Sequence, residues 1–239
     1  MKKMSLFFAL LTVGSIASAN TEIDPAQFDI VEMKVRELPT KFASNVAIGS
    51  VDCGSGTFAD TLPQTPEDIL SPLNTFDMVV DKIINIGKKI FAIVQAGKPV
   101  VNMKTDIATA MPQGARCWTD LQGWQMPQSK TYQVAFTNGF GMEVVKLSYR
   151  VLWLAGGNVE GAGQYIGYAT MAPENIEVSW GFSLNANVSV PTVFNMGTKE
   201  SPIAGMQMNM GYRIESPIKT IDQGQAFFVN GAGAFQQLQ

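Results

Sequence analysis

The chain has 239 residues, a formal net charge of −3 and no histidine, and 46% of its residues are hydrophobic. This hydrophobic content is sufficient for a packed core, and the acidic balance argues against a nucleic-acid partner. The lack of histidine removes the usual general base and the most common metal ligand.

The N-terminus has the three parts of a secretory signal peptide. Lys2 and Lys3 precede an apolar run over residues 6–16, and Ala17-Ser18-Ala19 supplies the small residues of a cleavage site. The run is shorter than the ~20 residues that a membrane-spanning helix needs. We therefore predict that residues 1–19 are removed by cleavage near Ala19. The mature chain would then be exported to the periplasm, the cell surface or the extracellular space.

Residues 20–239 are predicted to form a single domain, with a disulfide-closed, helix-containing part over 20–130 and an antiparallel β part over 131–239. Cys53 and Cys117 are the only cysteines, and two cysteines in an exported chain most simply pair. Neither cysteine belongs to a C-x-x-C motif, so we interpret the bond as structural rather than redox-active. Chain-entropy arithmetic gives a stabilisation of roughly 4 kcal/mol.

The N-terminal part contains the helical signals. Asp24-Pro25 begins a capping pattern that predicts a short helix, for which an N-terminal strand is the alternative. The segment from Ser71 to Lys98 is the only long one whose apolar residues repeat at helical spacing. Ser71 can act as its N-cap, and Gly97 can end it. The pattern predicts a long amphipathic helix over about residues 72–97.

After Lys130 the apolar residues alternate with the period of two that is typical of strands. The Asn138-Gly139 pair predicts a two-residue hairpin that places Tyr132 opposite Val145. Further alternating stretches cover residues 145–153, 165–168, 176–190, 204–214 and 226–229. The fold class is therefore predicted to be mainly β, an antiparallel β-sandwich with the long helix packed on it. The alternative is a β-barrel whose apolar face meets lipid.

No sequence motif indicates catalysis, a cofactor or a metal. The glycines at positions 157, 161, 163 and 167 do not complete a G-x-G-x-x-G motif and lie among predicted strands, so turns and bulges explain them better. Asp and Glu residues are scattered singly rather than in recognisable pairs. We therefore expect no enzyme activity, no cofactor and no metal site.

The row of methionines at Met206, Met208 and Met210 is unusual, because strands favour branched and aromatic residues. One interpretation is that these residues fill the core. The other is that they form an exposed apolar patch with Tyr212, Phe194 and Met196. Such a patch would recognise another protein, a second copy of the chain or lipid.

These patterns predict an exported, non-catalytic β-sandwich protein that acts in binding or structure at the cell envelope or outside the cell. Its expected partner is a protein or another copy of itself, with a lipid membrane as the alternative partner. The alternative function is pore formation or membrane insertion, using the amphipathic helix or an alternating β-hairpin.

Overall fold

The computed structural model describes residues 24–39 and 78–238, and within them twelve strands form two antiparallel six-stranded sheets. Sheet 1 contains, in spatial order, β1 (Ile30–Leu38), β6 (Gln128–Asn138), β7 (Glu143–Val159), β8 (Ala162–Val178), β5 (Ala108–Gln113) and β2 (Val79–Ile84). Sheet 2 contains β12 (Phe235–Gln237), β11 (Thr220–Asn230), β10 (Ala204–Glu215), β9 (Ser183–Asn195), β3 (Ile90–Gln95) and β4 (Lys98–Pro99). Short 3₁₀ helices cover Pro25–Gln27 and Trp118–Asp120.

The two sheets pack face to face around one apolar core. The hydroxyls of Tyr149 on β7 and Tyr212 on β10 lie 2.9 Å apart, and both donate to the side-chain oxygen of Gln225 on β11. The rings of Tyr132 on β6 and Phe227 on β11 have centroids 5.0 Å apart. Alternation along each strand directs every second side chain into this layer. The prediction of a mainly β, sandwich-like protein is confirmed.

The long helix predicted over residues 72–97 is wrong. Residues 79–99 form β2, β3 and β4, and residues 71–77 lie outside the described part of the chain. Asn85 accepts hydrogen bonds from the N–H groups of Gly87 and Thr109, both at 2.9 Å, and so holds the chain in a turn between β2 and β3. A Cβ atom at Gly87 would lie 2.4 Å from the Ile107 carbonyl oxygen, so this close approach requires glycine.

The apolar residues of this segment explain the error. They are mostly valine and isoleucine, whose branched Cβ atoms favour strands over helices. Two short strands separated by a turn happen to reproduce a helical repeat of apolar residues. In the structure, Phe91 and Ile93 are buried, whereas Ile90, which the helix would have buried, is 69% exposed.

The first hairpin of the β part lies where the Asn138-Gly139 pair predicted it, but its loop has four residues rather than two. Tyr132 lies opposite Tyr149, not Val145. The Asn138 side chain accepts hydrogen bonds from two backbone N–H groups within the loop, which stabilises this wider turn. The partner shifts by four residues, an even number, so the predicted core face is unchanged.

The alternating stretch predicted as one strand over residues 176–190 is divided between β8 and β9. β8 ends at Val178, a turn occupies residues 179–182, and β9 begins at Ser183. Gly181 has a φ of +83°, a conformation that favours glycine and allows the chain to reverse. Even-numbered residues near the turn face the core in both strands, as Val178 and Leu184 do, so the sequence pattern continues on both sides of the turn, although Trp180 within the turn is exposed.

The outer face of sheet 1 is covered at its centre by side chains from the segments on either side of β5, among them Met103, Trp118 and Trp124. A second apolar cluster there combines the buried side chains of Leu152, Leu154 and Tyr168 with Trp124. A Cβ at Gly157 would lie 2.2 Å from the Trp124 ring. This glycine therefore makes room for an indole.

The two ends of the sandwich differ in how the sheets are connected there, and we call them the seam end and the tip end. At the seam end, backbone hydrogen bonds join the sheets: Gly156 N–H donates to the Gly231 carbonyl and Gln164 N–H donates to the Pro202 carbonyl, both at 2.9 Å. At the opposite, tip end lie the β6–β7, β8–β9 and β10–β11 turns. No helix among the described residues is long and apolar enough to cross a membrane.

All five tyrosines of the chain are buried, at positions Tyr132, Tyr149, Tyr165, Tyr168 and Tyr212. Burial favours the neutral phenol and raises the pKa of Tyr165 and of Tyr168 to about 12. A raised folded-state pKa contributes stability that is complete below the unfolded value near 10 and is lost as the pH rises toward 12.

We therefore expect the folded protein to show no tyrosinate absorbance at pH 10. The tyrosines should ionise at higher pH together with loss of the far-ultraviolet circular dichroism of the sheets. The control is the denatured chain, whose tyrosines should titrate near 10. Ionisation of part of the tyrosines at pH 10, with the circular dichroism unchanged, would contradict this burial.

Candidate binding surface at the tip end

The residues of the predicted apolar patch do not lie together on the surface. Met206, Met208, Met210 and Tyr212 are buried in the core, whereas Phe194 and Met196 are exposed. The four β10 residues point toward sheet 1 because they alternate with the outward-facing Gln207 and Asn209. An exposed patch that includes them is therefore not present, and their place in the structure is core packing between the two sheets.

Phe194 and Met196 belong to a small cluster at the seam end of the outer face of sheet 2. The rings of Phe194 and Phe228 have centroids 5.9 Å apart. A Cβ at Gly205 would lie 2.9 Å from both the Met196 sulfur and the Phe228 ring. These side chains thus cover the bare backbone of a strand glycine, which explains their position without a partner.

Cys117 is buried at the start of the second 3₁₀ helix. The Asp120 carboxylate accepts hydrogen bonds from the N–H groups of Arg116 and Cys117, both at 2.8 Å, and fixes this turn. Cys53 lies outside the described residues. The Cys53–Cys117 disulfide therefore stays a prediction, as do the signal peptide and its cleavage near Ala19, which also lie outside them.

A shallow groove crosses the outer face of sheet 2 and is lined by polar side chains together with apolar atoms of residues such as Ala92. Asn185 and Asn187 lie on β9, and Arg213 donates two hydrogen bonds to Asp222, at 2.8 and 3.0 Å. The hydrogen bond from Arg213 lowers the pKa of Asp222, so this carboxylate stays ionised and paired. Among residues 24–39 and 78–238, no three acidic, cysteine or histidine side chains are grouped to hold a metal ion.

Exposed apolar side chains concentrate at the tip end. Among the described residues, twelve large apolar side chains are more than a third exposed, and five of the twelve lie at this end. They are Val31 at the start of β1, Phe140 and Met142 in the β6–β7 turn, Trp180 in the β8–β9 turn and Ile218 in the β10–β11 turn. Trp180 is 79% exposed. We call these five residues the tip surface.

The segment before β1 joins the β6–β7 and β8–β9 turns. The Asn138 side chain donates to the Gln27 carbonyl at 2.9 Å, and Gly139 N–H donates to the Ala26 carbonyl at 3.0 Å. Phe28 is buried, and its ring centroid lies 5.9 Å from that of Trp180. Both turns are therefore anchored on residues 24–30.

The third turn is anchored on the same segment by a charge pair. Lys219 donates to the Asp29 carboxylate at 2.9 Å and to the Ile30 carbonyl at 3.3 Å. Because one short segment contacts all three turns, their exposed side chains are held on one rigid end of the sandwich.

The charges around the tip surface are mostly paired. Lys146 lies 3.3 Å from Glu143 and 3.2 Å from Glu177, and Lys219 pairs with Asp29. The Asp24 carboxylate accepts a hydrogen bond from the Ala26 N–H and thereby caps the first 3₁₀ helix. Lys98, beside the β3–β4 turn at the same end, has no ion pair among the described residues. The charged groups that surround the tip surface, which we call the rim, therefore have a slight excess of acid.

The sequence contained a signal for this surface. Phe140 and Met142 fall in a turn, where polar residues are usual, and Trp180 precedes a glycine that reverses the chain. The strand predicted over residues 176–190 would place Trp180 on its apolar face, whereas the structure exposes Trp180 in a turn.

No family model matches this chain, and no curated protein or solved structure matches it. Function is therefore inferred from the geometry of the chain itself.

Proposed function

We propose that the mature chain is an exported, non-catalytic β-sandwich protein that binds a partner at the cell envelope or outside the cell, and that it binds through the tip surface. The supporting observation is the concentration of exposed apolar side chains on three adjacent turns. Turns held by a rigid scaffold are a frequent location for binding residues. Large apolar side chains exposed together at one end of a protein are costly in water, which favours a partner that covers them.

Two features support a binding role over catalysis. The groove on sheet 2 offers amides and a closed Arg213–Asp222 pair rather than a nucleophile beside a base. The buried tyrosines Tyr149 and Tyr212 are held neutral by burial and lie between the sheets, away from any substrate. Residues 79–99 contain β2, β3 and β4, so this part of the chain offers no amphipathic helix for membrane insertion.

The proposal is tested by site-specific photocrosslinking in the cells that produce the protein. A photoreactive amino acid at position 180 should form adducts with a protein or with lipid, and mass spectrometry identifies which of the two is the partner. The matched control is position 126, because Met126 is 84% exposed but lies away from the tip end. N-terminal sequencing of the exported chain should begin at Asn20. Equal adduct patterns at both positions, or none at position 180, would refute binding through the tip surface.

A further inference from the structure

We infer that the tip surface docks on the interfacial region of a neutral, zwitterionic bilayer, with Trp180, Phe140 and Met142 entering the lipid. The inference rests on the proposed function and names the class of partner. It concerns shallow insertion of turn side chains, not a membrane-spanning segment.

The backbone of the β6–β7 turn supports a lipid environment. Gly139 N–H donates to the carbonyls of Ala26 and Asp29, and Gly141 N–H donates to the Asn138 carbonyl at 2.9 Å. The N–H groups of Phe140 and Met142 both donate to the Asn138 side chain, at 3.1 and 3.0 Å. All four N–H groups of residues 139–142 are thus satisfied inside the protein. Such a turn exposes no unpaired N–H to the bilayer, where an unpaired donor in hydrocarbon would cost several kcal/mol, and its free carbonyls can accept hydrogen bonds from water at the level of the headgroups.

The same hydrogen bonds argue against a protein as the main partner. Protein interfaces carry about one hydrogen bond per 100–200 Å² between the two surfaces. The β6–β7 turn has used its backbone donors internally, and the β10–β11 turn contains Pro217, which has no N–H. The exposed side chains Phe140, Met142 and Ile218 give these turns a mainly apolar outer surface. A bilayer interface binds such a surface in proportion to its apolar area, without a matched set of hydrogen-bond partners.

The side-chain types fit the membrane interface. Tryptophan is enriched at the level of the lipid headgroups because its ring is amphipathic. Trp180 is the most exposed aromatic residue among the described ones, and Phe140 and Ile218 are each 53% exposed on neighbouring turns. Each of the three turns would contribute one shallow contact with the lipid. The shared anchor at residues 24–30 holds the three turns at the same end of the sandwich.

The charges decide which lipid is favoured. Basic residues draw proteins to anionic lipid at about 1 kcal/mol each. Here Lys146 and Lys219 are paired with carboxylates, and Glu215 adds a further negative charge beside the β10–β11 turn. Among the described residues at this end, Lys98 beside the β3–β4 turn is the lysine without an ion pair, and the unpaired acids outnumber it, so the net charge gives no attraction to anionic headgroups. The same acid excess would repel a second copy that approached with its tip end.

The test measures binding of the mature chain to phosphatidylcholine vesicles by flotation. Wild-type protein should float with the vesicles. Trp180→Ser and Phe140→Ser should each weaken partitioning, Trp180→Ser by about tenfold, the change expected when one large aromatic side chain no longer leaves water. The matched controls Met126→Ser and Ile90→Thr remove equally exposed apolar side chains elsewhere and should change partitioning less than about twofold. Thermal melts of each variant check that folding is retained.

Each alternative outcome has a distinct meaning. If wild-type protein does not float while position 180 still crosslinks to a protein, the lipid inference is wrong and the proposed function stands. If neither vesicle binding nor crosslinking occurs, both are wrong. Binding that requires phosphatidylserine in the vesicles would overturn the choice of neutral lipid. Equal losses in tip and control variants would overturn the tip surface as the contact.

Discussion

Met208→Lys is expected to prevent the chain from folding. Met208 is completely buried in the middle of β10. The residue opposite it on β11 is Phe227, which is also completely buried. A lysine there would place an ammonium group in an apolar layer, where it must either stay charged at a high cost or give up its proton. The cost should exceed about 4 kcal/mol, a large part of the ~5–15 kcal/mol that stabilises a typical domain.

Two variants control this experiment. Met208→Leu conserves volume and polarity and should cost less than about 1.5 kcal/mol. Gln207→Lys places the same ammonium group one residue away, on the outer face, and should change stability by no more than about 0.5 kcal/mol. Stability is measured by urea unfolding with circular dichroism. If Met208→Lys folded with a normal midpoint, Met208 would not be a core residue, and an exposed methionine patch would have to be reconsidered.

The methionine row shows what alternation along a strand can and cannot establish. The pattern places Met206, Met208 and Met210 on one face and Gln207 and Asn209 on the other, and the structure agrees. Alternation alone does not tell whether the apolar face meets a second sheet or a partner. That depends on sheet 1, whose side chains Tyr149 and Phe136 come from residues far away in sequence.

The incorrect prediction of a long helix has a similar cause, since it too rests on a local pattern without the tertiary contacts. Periodicity measures only where apolar residues fall, and two strands joined by a turn can imitate a repeat of 3.6. The decisive contacts are tertiary: Gly87 approaches Ile107 closely, and β3 pairs with β9 about a hundred residues away. The valine and isoleucine content of the segment is the local signal that favours strands.

The tip surface also could not be predicted from the local sequence pattern. Phe140, Trp180 and Ile218 lie in three different turns separated by about forty residues each along the chain. Their proximity follows from the antiparallel order of the strands, which brings these turns to one end. Only the anchoring by Phe28 and Lys219, which no sequence pattern indicated, shows that the turns form one surface.

Gly231→Ala is expected to destabilise the protein by about 3 kcal/mol, toward the upper end of what overpacking costs. Gly231 lies at the seam end, where its N–H donates to the Ala204 carbonyl at 2.7 Å and its carbonyl accepts from Gly156 N–H at 2.9 Å. An added Cβ would lie 2.0 Å from the carbonyl oxygen of Gln164 and 2.9 Å from the nitrogen of Tyr165. These are backbone atoms of β8, so relief requires the two sheets to separate at the seam.

Gly211→Ala is the matched control for the seam variant. A Cβ at Gly211 would lie 2.8 Å from the Asn187 side-chain oxygen, which belongs to an exposed side chain that can rotate away. This change should therefore be close to neutral, or slightly stabilising because alanine restricts the unfolded chain. Urea unfolding of both variants separates steric closure at the seam from the general effect of replacing a strand glycine. Equal midpoints for Gly231→Ala and Gly211→Ala would show that the sheets are not held together at Gly231.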